Sequence, residues 1–130
     1  SIDRLEMDDS KLFVVDLKTG STAVSLQEGQ ENKQLEAYQL AIVEGGFSRV
    51  SDVTQSGGAE LIYVGVDSKG VTQRTQAAVD QESARAFMEE SAEKMGGKSF
   101  EAVINKNCRT CGVKSICPLQ SDGRSVIERT

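Results

Sequence analysis

The sequence predicts an α/β fold in which a mixed β-sheet is flanked by helices and followed by a C-terminal loop that contains cysteines. Two short apolar segments, residues 2–7 and 12–17, surround a turn, and a longer one follows at residues 59–67 after a helical pattern. The three cysteines are confined to residues 108–117. A chain of 130 residues that is 38% hydrophobic fits a single soluble domain, with a core at residues 1–105 and a tail at residues 106–130.

The first two segments are expected to form a β-hairpin. Residues 2–7 alternate between apolar and polar side chains, residues 12–17 are rich in Val, Leu and Phe, and the residues between them favour a turn. A turn centred on Asp9 and Ser10 sets the register, because side chains alternate along each strand. The facing pairs, all on one side, are then Met7 and Leu12, Leu5 and Val14, Asp3 and Asp16, and Ser1 and Lys18.

Two carboxylates that face each other across a hairpin repel, and partial burial makes the pair still less favourable. A bound cation reverses this effect, and Mg²⁺ and Mn²⁺ prefer carboxylate and carbonyl oxygens. Lys18 lies two residues beyond Asp16 and therefore shares its side of the strand. The pattern indicates a metal site formed by Asp3 and Asp16 with Lys18 beside it; the alternative is a surface hairpin with a polar end.

Residues 19–30 have no hydrophobic period and are expected to form a long polar loop, which either contacts a substrate or only connects two elements. Asn32 can cap a helix that continues to about Glu44, where two glycines end it. Gln34 and Tyr38 are four residues apart and lie on one face of this helix. Either both residues line a functional site, or Gln34 is a solvated side chain and Tyr38 an aromatic residue of the core.

The second half of the chain is expected to complete the sheet. After a loop at residues 47–58, residues 59–67 form a buried strand, and a right-handed crossover sets it parallel to residues 12–17. A turn at residues 68–70 leads to a short edge strand at residues 71–75. Asp80 can cap a packing helix at residues 81–95, whose apolar stripe consists of Ala84, Phe87, Met88 and Met95.

Composition limits the cellular setting. The net charge of −5 disfavours a general affinity for nucleic acid, although a metal-dependent site itself needs acidic residues. No apolar run approaches the roughly 20 residues of a membrane span, so no membrane contact is expected. Three closely spaced cysteines do not suit a secreted disulfide framework and favour the reducing cytoplasm.

Four motifs, in order, resemble those of the RecB-type nucleases of the PD-(D/E)XK superfamily. Asp3-Arg4-Leu5-Glu6 and Val15-Asp16-Leu17-Lys18-Thr19-Gly20 are similar to the two catalytic motifs. Gln34-Leu35-Glu36-Ala37-Tyr38 is similar to the Q-L-x-x-Y helix motif, and Cys108, Cys111 and Cys117-Pro118 to the cysteine segment. The resemblance extends over residues 2–118 and implies a truncated restriction-endonuclease-like core.

The resemblance implies a Mg²⁺- or Mn²⁺-dependent deoxyribonuclease. Asp3, Asp16 and the backbone carbonyl of Leu17 would hold the metal, Lys18 would orient water or stabilise charge, and Gln34 and Tyr38 would line the site. Such domains commonly follow superfamily-1 helicases of the UvrD/Rep kind and process DNA ends for recombination repair, so DNA and the remainder of a helicase-nuclease are the expected partners. The alternatives are a non-catalytic DNA-binding or scaffold module and a stand-alone CRISPR-associated nuclease.

The resemblance also implies that Cys108, Cys111 and Cys117 bind a [4Fe-4S] cluster in the intact protein, with a fourth cysteine from an upstream segment. A structural zinc ion and free thiols are the alternatives. The chain has no histidine, which many family members use as a further metal ligand on a preceding helix. A start without Met suggests an excised fragment that lacks this helix, and the isolated fragment is therefore expected to be inactive or to have an incomplete cluster.

Overall fold

The computed structural model describes residues 2–66, 70–99 and 101–121. The chain divides into two compact units, with the boundary between Ser91 and Ala92. In the described part of the first unit, four strands form one mixed sheet in the order β1-β2-β3-β4. The elements of the chain are β1 (Arg4–Asp8), β2 (Lys11–Lys18), α1 (Leu26–Gln30), α2 (Lys33–Val43), β3 (Ser56–Tyr63), β4 (Thr72–Gln76) and α3 (Gln81–Gly96).

The N-terminal hairpin forms with the predicted turn. Asp9 and Ser10 both have positive φ angles, 44° and 67°, which give a two-residue turn whose twist matches that of the flanking strands. The register pairs Leu5 with Val14 and Met7 with Leu12, as predicted. Strand β1 begins at Arg4, so Asp3 precedes the ladder, and Ser1 lies outside the described residues.

Strand β3 is parallel to β2, as the predicted crossover requires, but its bounds differ from residues 59–67. It begins at Ser56 because the pairing with β2 already starts opposite Leu12, and it ends at Tyr63. The register shifts between Leu12 and Phe13 and leaves Gly57 as an extra residue beneath the Phe13 ring. A Cβ at Gly57 would lie 2.1 Å from the ring, so any larger residue would force the ring to move.

The polar segment at residues 19–30 is not wholly a loop, because it ends in helix α1. The side chain of Ser25 accepts a hydrogen bond from the Glu28 amide, and the Glu28 carboxylate accepts one from the Ser25 amide. This capping box satisfies two backbone groups of a helix that has only five residues. The spacing Ser-x-x-Glu is the signal in the sequence that predicts this start.

Helix α2 has the predicted limits. Asn32 caps it by accepting a hydrogen bond from the amide of Leu35, and Gly45, with φ 72°, follows its end in the left-handed conformation. The apolar side of α2 packs on one face of the sheet and forms the core with it. The buried members of this core are Leu12, Val14, Leu35, Ile42, Ala59, Leu61 and Tyr63.

A buried amide network fixes α2 against the sheet. Gln39 is fully buried, and its amide group donates hydrogen bonds to the Gln76 side chain and to the Ala77 carbonyl. Its side-chain oxygen accepts hydrogen bonds from the Ser56 hydroxyl and the Val79 amide. All four hydrogen-bonding positions of this side chain are therefore satisfied, as burial of an amide requires.

Strand β4 pairs antiparallel with β3 at the edge of the sheet, as predicted, while residues 68 and 69 of the expected turn lie outside the described residues. Helix α3 also forms, and Asp80 accepts a hydrogen bond from the Ser83 amide at its start. The prediction of a packing stripe is only partly met. Ala84 is buried, whereas Met88 and Met95 are exposed.

The second unit, by itself, contains the end of α3 and two short 3₁₀ helices at Lys106–Thr110 and Lys114–Ile116. Its turns follow one another at intervals of three residues, as the amides of Cys108, Cys111, Lys114 and Cys117 each donate to the carbonyl three residues before. In the described ranges of the whole chain, no helix combines the length and the apolar character that a membrane crossing needs.

Candidate active site

The candidate site lies where β2 ends, at Asp16, Leu17 and Lys18. Asp16 shares the face of β2 that carries Leu12 and Val14, and this face packs against α2. Its side chain is therefore buried, with 4% of its surface exposed. A carboxylate in such a position is costly unless a cation or hydrogen-bond donors compensate its charge.

Lys18 provides this compensation. Its Nζ lies 2.5 Å from Oδ2 of Asp16, and about a third of its side chain, 34%, is exposed. The contact has the length but not the geometry of a hydrogen bond, so Oδ2 remains a buried oxygen without a hydrogen-bond donor. We therefore describe the contact as an ion pair. The pKa of Lys18 is raised above its ordinary value, chiefly because the ammonium is held against the Asp16 carboxylate.

Helix α2 places Gln34 and Tyr38 beside this ion pair. The side-chain oxygen of Gln34 accepts a hydrogen bond of 3.3 Å from Nζ of Lys18, and its amide nitrogen donates one of 2.8 Å to the hydroxyl of Tyr38. The four side chains form a continuous series of polar contacts from Asp16 to Tyr38. The spacing of four residues on the helix makes this possible, because Gln34 and Tyr38 lie one turn apart.

Asp3 reaches the same strand end in a different way. Its Oδ2 accepts a hydrogen bond of 2.9 Å from the backbone amide of Leu17. Asp3 is exposed, so the expected desolvation applies only to Asp16. The repulsion expected between the two carboxylates is also reduced, because a backbone donor serves one and Lys18 the other.

Sequence reasoning did not identify Tyr63 as a neighbour of the site. It is the residue of β3 that pairs with Lys18, and its charge interaction contributes to the raised pKa of Lys18. Its hydroxyl accepts a hydrogen bond from the Val24 amide. The carboxyl ends of neighbouring parallel strands lie at the same edge of a sheet. The position of Tyr63 at the end of β3 was therefore the signal that could have identified it.

The comparison with known families agrees with this geometry. A model of the PD-(D/E)XK nuclease superfamily matches residues 1–118. The chain belongs to the PD-(D/E)XK nuclease superfamily. A search of the curated proteins found no match. The mixed four-stranded sheet with flanking helices is consistent with the core of this superfamily, whose members are generally metal-dependent nucleases.

The residues at the end of β2 fit the metal that PD-(D/E)XK nucleases generally use, Mg²⁺ or Mn²⁺. The fit rests on Oδ2 of Asp16, a buried carboxylate oxygen whose only described partner is the ammonium of the partly exposed Lys18. Asp3, at the adjacent Leu17 amide, offers a second carboxylate from the solvent side. Oxygen donors of this kind suit hard divalent cations.

The three cysteines of this PD-(D/E)XK chain, unlike the residues at the end of β2, do not form a site that fits a metal centre. Cys108 and Cys117 are half-buried, Cys111 is exposed, and all three are free thiols. Among the described residues, no three Cys, Asp, Glu or His side chains are grouped so that they could hold a metal ion. Successive short turns separate the three cysteines along this segment.

Proposed function

We propose that this chain is the catalytic part of a nuclease that hydrolyses DNA phosphodiester bonds with Mg²⁺ or Mn²⁺ at the end of β2. The observation that carries the proposal is the buried Asp16 carboxylate, which has one oxygen without a hydrogen-bond donor and a lysine held beside it. Burial of a carboxylate is costly, and the lysine that offsets this cost is itself partly exposed, as a group that contacts a substrate must be.

Each site residue has a role in this proposal. Asp3, Asp16 and the carbonyl of Leu17 would hold the metal, which when bound supplies Lewis acidity toward the scissile phosphate and the attacking water. Lys18 supplies positive charge to the phosphate as negative charge develops during attack. Held beside Asp16, its ammonium is positioned as a charge stabiliser.

Gln34 and Tyr38 have a supporting role. Lys18 has a flexible side chain that can adopt many orientations, and a single ion pair does not fix the direction of its remaining N–H groups. The oxygen of Gln34 restricts one of them, and the hydroxyl of Tyr38 fixes the orientation of the Gln34 amide. The ammonium is thus held in place before the substrate binds, which is the condition under which a charged group contributes most to catalysis.

The nuclease assay uses a matched pair of lysines on the same strand. In the intact protein, Lys18→Met is expected to reduce Mn²⁺-dependent cleavage of linear DNA by about two orders of magnitude or more, the effect of losing one preorganised charge. Lys11→Met removes the same charge at the exposed opposite end of β2 and is expected to leave cleavage within about twofold. Equal activity of the two variants would contradict the proposal.

For the wider context, we infer that the chain works within a helicase-nuclease that processes DNA ends. The motifs that resemble RecB-type nucleases support this inference, and so does charge. Residues 1–91 contain 16 acidic and 8 basic residues, a net charge of −8, so strong DNA binding requires other surfaces. DNA-dependent ATP hydrolysis by the purified intact protein tests the inference. An intact protein without this activity would favour a stand-alone nuclease.

The [4Fe-4S] cluster stays a prediction for the intact protein. Cys108, Cys111 and Cys117 supply three of the four ligands that such a cluster needs. Iron and sulfide analysis of the parent protein and of its Cys111→Ala variant tests the prediction. Bound iron that is unchanged in the variant would contradict a role for this cysteine.

A further inference from the structure

The segment that joins Lys18 to helix α1 is free of negative charge and adjoins the candidate site. No carboxylate side chain occurs between Asp16 and Glu28. Residues 19–22 are all exposed and include three hydroxyl groups, those of Thr19, Ser21 and Thr22. We call residues 19–23 the hydroxyl loop.

The hydroxyl loop is held at its beginning by the backbone. The carbonyl of Lys18 accepts a hydrogen bond of 3.0 Å from the Val64 amide. The carbonyl of Thr19 passes so close to Gly65 that a Cβ on this glycine would lie 2.6 Å from the oxygen. A side chain at position 65 would therefore displace the start of the loop.

Two side chains hold the other end. The amide of Val24 donates a hydrogen bond of 3.4 Å to the hydroxyl of Tyr63, and its carbonyl accepts one of 2.7 Å from Nε of Arg74. The stem of Arg74 also lies against the buried Gly29 of α1. Val24 is thus fixed through both of its backbone groups, while the five residues before it carry the exposed hydroxyls.

An exposed loop that is fixed at both ends is suited to contact a ligand without a large loss of conformational entropy. Hydroxyl groups and backbone amides are common donors to the phosphates and sugars of DNA, and such contacts position the duplex or strand without reading its sequence. Because residues 1–91 carry a net charge of −8, a DNA strand meets less repulsion at a surface without carboxylates than at most of this unit.

We propose that the hydroxyl loop binds the sugar-phosphate backbone of the DNA strand next to the scissile phosphate. Thr19, Ser21 and Thr22 donate to phosphate oxygens, and Lys18 follows directly on the site side. Tyr63 and Arg74 are positioning residues, since they hold Val24 and do not reach the strand themselves. The proposal rests on the proposed nuclease function and adds the surface that places the strand.

The first test is direct and independent of cleavage. Backbone amide resonances of the full chain are followed by NMR while a short oligothymidylate is added. Shift changes concentrated at residues 19–23 are expected. The absence of changes there, with changes elsewhere, would overturn the proposal. Changes there, together with an intact protein that cleaves no DNA with any metal, would support the loop and refute the nuclease function.

The second test uses matched charge changes. Thr22→Glu places a carboxylate in the hydroxyl loop and is expected to raise KM for DNA about tenfold with kcat nearly unchanged. Thr54→Glu makes the same change at an exposed position outside the loop and is expected to change KM by less than about twofold. Equal effects of the two variants on KM would overturn the proposal.

The third test addresses positioning. Tyr63→Phe removes the hydroxyl that accepts from Val24 and preserves the ring in the core. We expect faster amide hydrogen exchange at residues 20–24 and a raised KM, with the thermal midpoint nearly unchanged. Unaltered exchange and KM would show that Tyr63 does not position the loop.

Discussion

Replacement of Asp16 by Asn is the sharpest test of the metal site, because it removes one charge and keeps the size of the side chain. In the chain without metal, the wild-type carboxylate loses hydration by burial and gains attraction from Lys18. At 2.5 Å and an effective dielectric constant of about 20, the attraction is about 7 kcal/mol. Burial costs several kcal/mol for each ion, and the exposure of Lys18 lets water weaken the attraction.

The two contributions therefore nearly cancel. Breaking a fully buried pair costs about 3–5 kcal/mol, but the Lys18 left without its partner is partly exposed, so Asp16→Asn is expected to change the free energy of unfolding of the metal-free chain by no more than about 2 kcal/mol, in either direction. Metal changes the stability in another way, by binding to the folded chain. At a free Mg²⁺ or Mn²⁺ concentration about 100 times its Kd, binding stabilises the folded wild-type chain by about 2.7 kcal/mol. For a unit of this size, this corresponds to a rise in Tm of roughly 10–20 °C.

The assay is thermal unfolding at increasing metal concentration for the wild type, Asp16→Asn and a control, Asp8→Asn. Asp8 is an exposed carboxylate at the other end of the same hairpin, so its replacement makes the same change in net charge. The wild type and the control are expected to gain the full rise in Tm, and Asp16→Asn almost none of it. An equal metal-dependent rise in all three would refute the assignment of Asp16 as a ligand.

Because the pKa of Lys18 is raised in the folded chain, the stability difference between wild type and Lys18→Met should stay constant from neutral pH to its ordinary pKa of 10.5. Denaturant unfolding at higher pH should show this difference shrinking as the folded chain loses the proton, and a difference that does not shrink would refute the role of the ion pair. Gln39→Met leaves four polar groups without their partner, three of them in the buried or half-buried residues Ser56, Gln76 and Val79. It should cost about 3–5 kcal/mol in urea unfolding, whereas a loss below about 1 kcal/mol would refute the role of the network. Gly57→Ala should destabilise the chain by about 2 kcal/mol or more through its clash with the Phe13 ring. In the double variant, Phe13→Leu should relieve part of that loss. If the free-energy changes of the two single variants simply add in the double variant, the clash is contradicted.

Local sequence signals determined much of the framework. The hairpin register follows from Asp9 and Ser10, which tolerate the positive φ angles of a two-residue turn. The limits of α2 follow from a capping residue, Asn32, and from Gly45 after its end. These signals are readable because the physics that they report acts over a few residues.

Other features depended on contacts between distant segments. The sequence at Gly57 does not favour a strand, yet parallel pairing with β2 and the ring of Phe13 extend β3 to this point. The stripe on α3 is periodic, but packing and not periodicity decides burial, and Met95 is exposed. The thiol spacing likewise did not give Cys108 and its neighbours a group that could hold a metal ion among the described residues, since spacing does not fix the direction of the turns.

The candidate site combines both kinds of information. The sequence by itself placed Asp16 and Lys18 on one side of β2, because side chains alternate along a strand. Only the tertiary structure decided that Asp16 is buried while Asp3 remains exposed, since burial depends on which face α2 covers. It also brought Gln34 to Lys18, a contact between residues 16 positions apart that helix packing creates and that no local pattern specifies.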